Sequence, residues 1–339
     1  MVDATVARGK RFSDEMLFAL KLLAYCGTKE GVKCIARVAR SGYKADHYMW
    51  SVVLDPFGRG HPGAAMLFAK LSKPLPQKFL AVSLLDAANA AAREHGLRKH
   101  PFDSAAGARA LAGYLGSRKP TQASYAVSAC AALPFISPSR RKPLLALARR
   151  HKAPHVQMEA AWAAAKMGDQ AGLDFLIQKC LDRNMSLQAR HYLAELGKKK
   201  LVPKAARDPD FEAMAEMCHW LSHPNEYGEP PDSIELMDKR TLYWPPTRDT
   251  RELRLFSFAY EKNRHRKQRH VGVGMVGSVT WAFFDETKPS MKPEDIYGHH
   301  CCFELAMNDD PRAPKKRSAR AGWALIEAAN LSSRRRGGA

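Results

Sequence analysis

The sequence predicts a mainly α fold: an α-solenoid of helix pairs followed by a small C-terminal α/β cap, a β-hairpin plus a helix. Three observations predict it. Val156, Ala160, Ala164, Met167 and Gly168 are matched 29 residues later by Met185, Ala189, Leu193, Leu196 and Gly197. A fixed period of roughly 20–50 residues marks a stacked repeat. From Ala64 to Leu221, helix-forming runs alternate with proline or glycine breaks. Beyond Leu221, runs rich in strand formers take over. At 339 residues the chain exceeds one comfortable core, so a solenoid with an appended domain is expected.

Residues 12–41 carry two helical patterns, the first opening at Ser13-Asp14-Glu15 and continuing through Leu17, Leu20, Leu22 and Leu23. Residues 42–62 read as mixed, with Pro56, Gly58, Gly60 and Pro62 marking a loop. Helices are then expected over Ala64–Leu71, Phe79–His95, Ser104–Gly116, Gln122–Leu133, Lys142–Arg150, Val156–Met167, Ala171–Leu181, Leu187–Leu196 and Phe211–Leu221. Pro74, Pro76, Gly96, Pro101, Pro120, Pro134, Pro138, Pro154 and Pro203 lie between them. Leu253–Tyr260 and Val271–Phe284, joined by the basic loop Lys262–His270, read as a hairpin. Pro293 with Glu294 and Asp295 opens a helix to about Leu305. Ser318–Leu331 reads as a last helix. The implied organisation is an N-terminal helical segment 1–62, a solenoid 63–222, an acidic Pro/Gly-rich linker 223–240, a cap 241–310, and a basic helix with a disordered tail 311–339.

The stretch from Pro154 to Gly197 holds Ala160-Ala161-Trp162-Ala163-Ala164, then Met167-Gly168-Asp169 and the apolar set Ala171, Leu173, Phe175 and Leu176. It resembles a HEAT repeat of the short bacterial type found in phycobilisome-lyase-like proteins. The resemblance implies an α-solenoid of HEAT-like helix pairs and leaves activity unassigned. Ala153 and Gln157 stand where that pattern usually has an acidic residue and an arginine, so the Asp–Arg ladder of regular stacks is not expected here.

Charge is the compositional anomaly. Residues 1–207 carry 34 Lys/Arg against 14 Asp/Glu, whereas 208–238 carry nine Asp/Glu and no Lys/Arg. Such a chain attracts polyanions, or it folds its acidic segment onto its basic body. Seven cysteines in apolar helical contexts suit reduced, mostly buried thiols in a cytoplasmic protein. The start, Met1–Arg11, lacks an apolar signal core, and no stretch approaches the ~18 apolar residues of a membrane span. No membrane partner is therefore expected.

Gly272-Val273-Gly274-Met275-Val276-Gly277 matches the dinucleotide fingerprint in letters only. A strand former run follows it where a helix would have to start. Glycines allowing close approach within a strand explain it better. His299-His300-Cys301-Cys302 cannot all reach one ion, because adjacent helical residues diverge by about 100°. The weak metal candidates are His219 and His223, one turn apart, with His300. No nucleophile-elbow, P-loop or H-E-x-x-H motif occurs, so catalysis is the minority reading and no cofactor is expected. Arg140, Arg141, Lys142, Arg149, Arg150, Lys152, Lys198, Lys199 and Lys200 sit at helix ends and form one stripe if successive pairs carry them at the same end. The alternative for such residues is to satisfy carbonyls in a helix's last turn. Trp162, a candidate base-contacting aromatic, is more simply core. The leading expectation is a non-enzymatic scaffold or adaptor for a protein partner, and the competing one is a nucleic-acid binder using the basic stripe with Lys262–Arg269 and Arg334–Arg336.

Overall fold

The structure, a computed structural model, describes residues 14–261, 269–283 and 286–336. The described residues form 14 α-helices and, near the C-terminus, a small four-stranded antiparallel sheet. The chain divides into two compact units between Phe175 and Leu176, inside the segment 63–222.

The first unit is helical. Its helices are α1 (Asp14–Cys26), α2 (Lys29–Arg40), α3 (Met49–Gly58), α4 (Ala64–Leu71), α5 (Lys78–Glu94), α6 (Ala105–Gly116), α7 (Ala123–Ala132), α8 (Pro138–Arg149), α9 (Pro154–Lys166) and the start of α10 (Gln170–Lys179). Side-chain caps set two of the starts: Thr28 Oγ1 accepts from Gly31 N at 3.1 Å and Ser104 Oγ from Gly107 N at 3.0 Å. Pro138 and Pro154 open α8 and α9, where a missing N–H costs nothing. α9 ends at Gly168, whose φ of +86° closes the helix in the left-handed region.

Helix α3 runs through the part of the mixed segment 42–62 where Pro56 and Gly58 marked a loop. Trp50, Val53, Leu54 and Phe57 recur at i, i+3, i+4 and i+7, and all four are buried. Pro56 is tolerated near the end of this helix, and Gly58 lets it lie close to α5: a Cβ there would meet Ala90 Cβ at 2.9 Å.

Alternate helices touch along the unit: α1 with α3, α2 with α4, α3 with α5, α5 with α7, α7 with α9, and α6 with α8. Polar groups tie the same helices together. Asn89 of α5 donates to Ser128 O of α7 at 2.9 Å, and Arg93 of α5 pairs with the buried Glu159 of α9. The Arg93 guanidinium lies 3.6 Å from the ring centroid of Trp162, which is fully buried. Trp162 is core. Where α9 meets α10 small residues allow close packing: a Cβ on Gly172 would lie 2.7 Å from Ala161 O.

The second unit contains the rest of α10, then α11 (Ser186–Glu195) and α12 (Pro209–Leu221). Gly197 follows α11 at φ +69°, repeating the terminator seen at Gly168. The sheet runs β1 (Ser233–Trp244), β2 (Asp249–Tyr260), β3 (His270–Val276) and β4 (Trp281–Phe283) in sequence order, and α13 (Pro293–Met307) and α14 (Ala319–Arg336) follow. The hairpin expectation holds for β2 and β3. The run read as Val271–Phe284 is two strands, broken where Gly277 turns at φ +119°. β1 arises within the stretch read as linker.

Each sheet face has its own cover. Phe256, Phe258, Tyr260 and Val276 pack with Met217, Cys218 and Leu221 of α12. Leu253, Leu255, Val273 and Met275 pack with Ile296, Tyr297, Cys301 and Leu305 of α13 and Ile326 of α14. Gly274 is glycine because α12 passes over it, and a Cβ would meet Met217 Cε at 2.5 Å. Of the fingerprint-like glycines, Gly272 and Gly274 therefore serve packing within a strand, and Gly277 makes the turn that follows it.

Glu304 of α13 is buried, and its Oε2 accepts from Trp244 Nε1 at 2.9 Å and Ser278 Oγ at 2.8 Å. Burial pushes its carboxyl above the ordinary range, only partly opposed by those hydrogen bonds. A folded-state pKa above the unfolded one means the ionised carboxylate costs stability at neutral pH. That cost is absent below the unfolded value of about 4.3. Glu304→Gln, whose amide oxygen accepts the same two bonds, is expected to raise the melting midpoint at pH 7 and leave it unchanged near pH 4. A lower midpoint at pH 7 would show that the charge itself holds this contact.

Candidate functional site

Three of the nine basic residues singled out from sequence make structural contacts, two of them as ion pairs. Arg140 Nη1 donates to Asp103 Oδ1 and to Ser137 Oγ, each at 2.8 Å. Burial acts to raise the Asp103 carboxyl, but the bonds from Ser137 and Arg140 outweigh it and hold it below its ordinary value. Arg149 Nη2 lies 2.6 Å from Asp169 Oδ2, and that hydrogen bond leads the causes that hold the Asp169 carboxyl low. Arg150 Nε donates to Ala146 O at 3.0 Å, the bland role of a basic residue at a helix end.

The two groups in the first unit do not share a helix end. Arg140, Arg141 and Lys142 occupy the first turns of α8, whereas Arg149 and Arg150 close it and Lys152 follows, a separation of ~14 Å along the axis. Lys198, Lys199 and Lys200 are exposed in the other unit, after α11.

What the sequence reading missed is a cavity of about 980 Å3 in the first unit, whose walls include Phe68, Lys73, Arg98, Lys99, Asp103 and Ser104. Lys73 comes from the α4–α5 loop, and Arg98 and Lys99 come from the α5–α6 loop. All three are exposed, and no salt bridge to any of them is found among the described residues. Asp103, the carboxylate in the wall, is engaged by Arg140, which brings the start of α8 to the rim. Arg40 Nη2 donates to Lys73 O at 2.7 Å. A second cavity of about 770 Å3 lies against the same α4–α5 loop, lined by Arg40, Lys44 and Lys78, with Asp46 2.5 Å from Lys78 Nζ. His100 belongs to the wall but not to the chemistry. Burial lowers its pKa to about 4, and the neutral ring bonds Asn89 Oδ1 at 3.2 Å.

Residues of the acidic segment 208–238 pair with groups of the second unit. Asp208 caps α12, Asp210 pairs with Arg254 at 2.7 Å and Lys239 at 3.0 Å, Glu212 with Arg190 at 2.6 Å, and Asp238 with Arg240 at 2.8 Å. Lys262–Gln268 lies outside the described residues, as do the side chains of Arg334–Arg336.

The three metal candidates are not gathered together. His219 and His223 are exposed, while His300 is fully buried, and among the described residues no group of three or more His, Cys, Asp or Glu is arranged to hold a metal ion. None of the seven cysteines is in a disulfide, and burial pushes Cys180 and Cys218 up to about 11, which keeps them as unreactive thiols at neutral pH. Neither ring nitrogen of His300 has a hydrogen-bond partner among the described residues, and burial lowers its pKa to about 3. His300→Leu is accordingly expected to stabilise the second unit by about 1–3 kcal/mol, measured by denaturant titration. A loss of stability would mean that its ring contact with Phe283, 4.8 Å between centroids, outweighs the two orphaned nitrogens.

Among the described residues no helix is long and apolar enough to cross a membrane. No family model matches the chain, and neither a curated protein nor a solved structure similar to it is found.

Proposed function

We propose that the first unit is a HEAT-like helical-repeat module that binds nucleic acid, holding the phosphate backbone at the cavity walled by Lys73, Arg98 and Lys99, with Arg141 and Lys142 extending the surface. One observation carries this reading: Lys73, Arg98 and Lys99, from separate interhelix loops, converge on one cavity with no ion-pair partner among the described residues, and the one carboxylate in its wall, Asp103, is already engaged by Arg140. Residues 1–175 hold 26 Lys/Arg against 12 Asp/Glu, so the surrounding field is also positive. The alternate-helix contacts and the Gly168/Gly197 terminators support the repeat architecture.

The test is a salt-titrated binding measurement with full-length protein and a fluorescent duplex. The affinity is expected to fall steeply with salt, with a log–log slope of about −0.9 for each phosphate neutralised. No binding at low salt would overturn the reading.

A protein partner is favoured by a different feature. Phe18, Leu22 and Tyr25 of α1 lie at i, i+4 and i+7 and are 61%, 48% and 65% exposed, a seam suited to an apolar partner surface. A scaffold working through that seam would lose its partner in Phe18→Ser/Leu22→Ser and keep it when the cavity cations are removed.

A further inference from the structure

The second unit carries an aromatic run that the basic cavity does not use. Trp220 of α12 lies 5.5 Å from Trp281 of β4, Trp281 lies 4.7 Å from Phe303 of α13, and Phe303 lies 5.2 Å from Phe283 of β4, all between ring centroids. These four rings are half-buried, not enclosed. Trp281, Phe283 and Phe303 line a pocket of about 590 Å3 at the β4 edge of the sheet, together with Glu286, His299 and Arg317. Arg317 belongs to an exposed basic run with Lys315, Lys316 and Arg320, between and at the start of the last two helices. No ion pair to any of these four cations is found among the described residues.

We propose that this pocket receives an unpaired base of a single-stranded nucleic acid, stacked against the Trp281 and Phe303 rings with the perpendicular Phe283 ring at its edge, with Arg317 on the adjoining phosphate and Lys315 and Lys316 along the strand. Aromatic faces beside a cationic track are what single-strand binding requires, because every base offers a π-face and every link a phosphate. An apolar peptide would use the rings and leave four cations idle. A duplex would use the cations and leave the rings idle, since its bases already stack on one another. The Glu286 carboxylate repels phosphate and accepts hydrogen bonds, so it marks the base end of the pocket, and Arg317 marks the backbone end.

The proposal takes its polymer class from the nucleic-acid reading above, but it rests on different residues in the other unit. The experiment therefore uses full-length protein in two backgrounds, native and Lys73→Ala/Arg98→Ala/Lys99→Ala, with a fluorescent 20-nucleotide single strand of mixed sequence and its duplex as probes. In the second background, single-strand binding is expected to persist while duplex binding is lost. Adding Phe303→Leu, which keeps apolar volume but removes a stacking face, should weaken single-strand binding about tenfold. Arg317→Ala, an exposed substitution that leaves the core untouched, should weaken it too and reduce the salt slope by about 0.7. Quenching of tryptophan fluorescence by the single strand, but not by the duplex, is expected to accompany binding. Single-strand affinity unchanged by both variants, or absent in the triple background, would overturn the pocket. The duplex affinity of the native protein separately decides the reading of the first unit.

Discussion

Gly298→Ala is expected to destabilise the second unit by about 3 kcal/mol or more, whereas Gly113→Ala should stabilise the first by about 0.5–1 kcal/mol. Both glycines sit inside helices, and helix propensity alone predicts the same gain at each. Surroundings reverse one of them. At Gly113 nothing lies within 4 Å of an added Cβ, but at Gly298 that atom would sit 2.0 Å from Ala319 O, a backbone atom that cannot swing aside. Gly322 answers from the facing helix, where its Cβ would lie 2.0 Å from Gly298 O. The α13–α14 crossing therefore depends on two bare backbones in contact, and α13 is the element covering one face of the sheet. Urea titrations of the two variants check this. A stable Gly298→Ala protein would mean the helices separate without cost.

The second large effect concerns binding. Lys73→Ala/Arg98→Ala/Lys99→Ala is expected to abolish duplex binding at 150 mM salt and to make the salt slope shallower by about 2.7, one increment of 0.9 for each cation. Arg140→Ala should act differently. It removes the Arg140 bonds to Asp103 and Ser137 while leaving the Ser137–Asp103 bonds in place, so it should lower stability by up to about 1 kcal/mol with a smaller change of slope. If the triple variant binds duplex like the native protein, the cavity is not the interface.

Helix order was legible because prolines and glycines fall at the junctions, and because the apolar spacing inside each run is helical. α3 was hidden by its own punctuation: Pro56 and Gly58 read as loop markers, although Trp50, Val53, Leu54 and Phe57 already traced a helical face. β1 was hidden for another reason. Its pairing with β2 shifts register between Leu236 and Asp238, so the strand's apolar alternation changes phase midway and no clean period-two signal remains. The basic runs at 140–142 and 149–152 were conspicuous as letters, yet Arg140 and Arg149 are ion-paired. The cavity cations were inconspicuous, since Lys73 and Arg98 come from different loops and only the packing of α4, α5 and α6 brings them together. Pocket aromatics such as Trp281 and Phe303 likewise belong to a strand and a helix that look like core until their half-exposed edges are placed.

Amide hydrogen exchange of the full-length protein, with and without saturating duplex at low salt, tests most directly where nucleic acid is held. Protection is expected in the segments 71–78 and 96–104 and at the start of α8, and it should disappear in the triple variant. Protection elsewhere with those segments unchanged, or no protection at saturation, would contradict the assignment of the basic cavity as the binding surface.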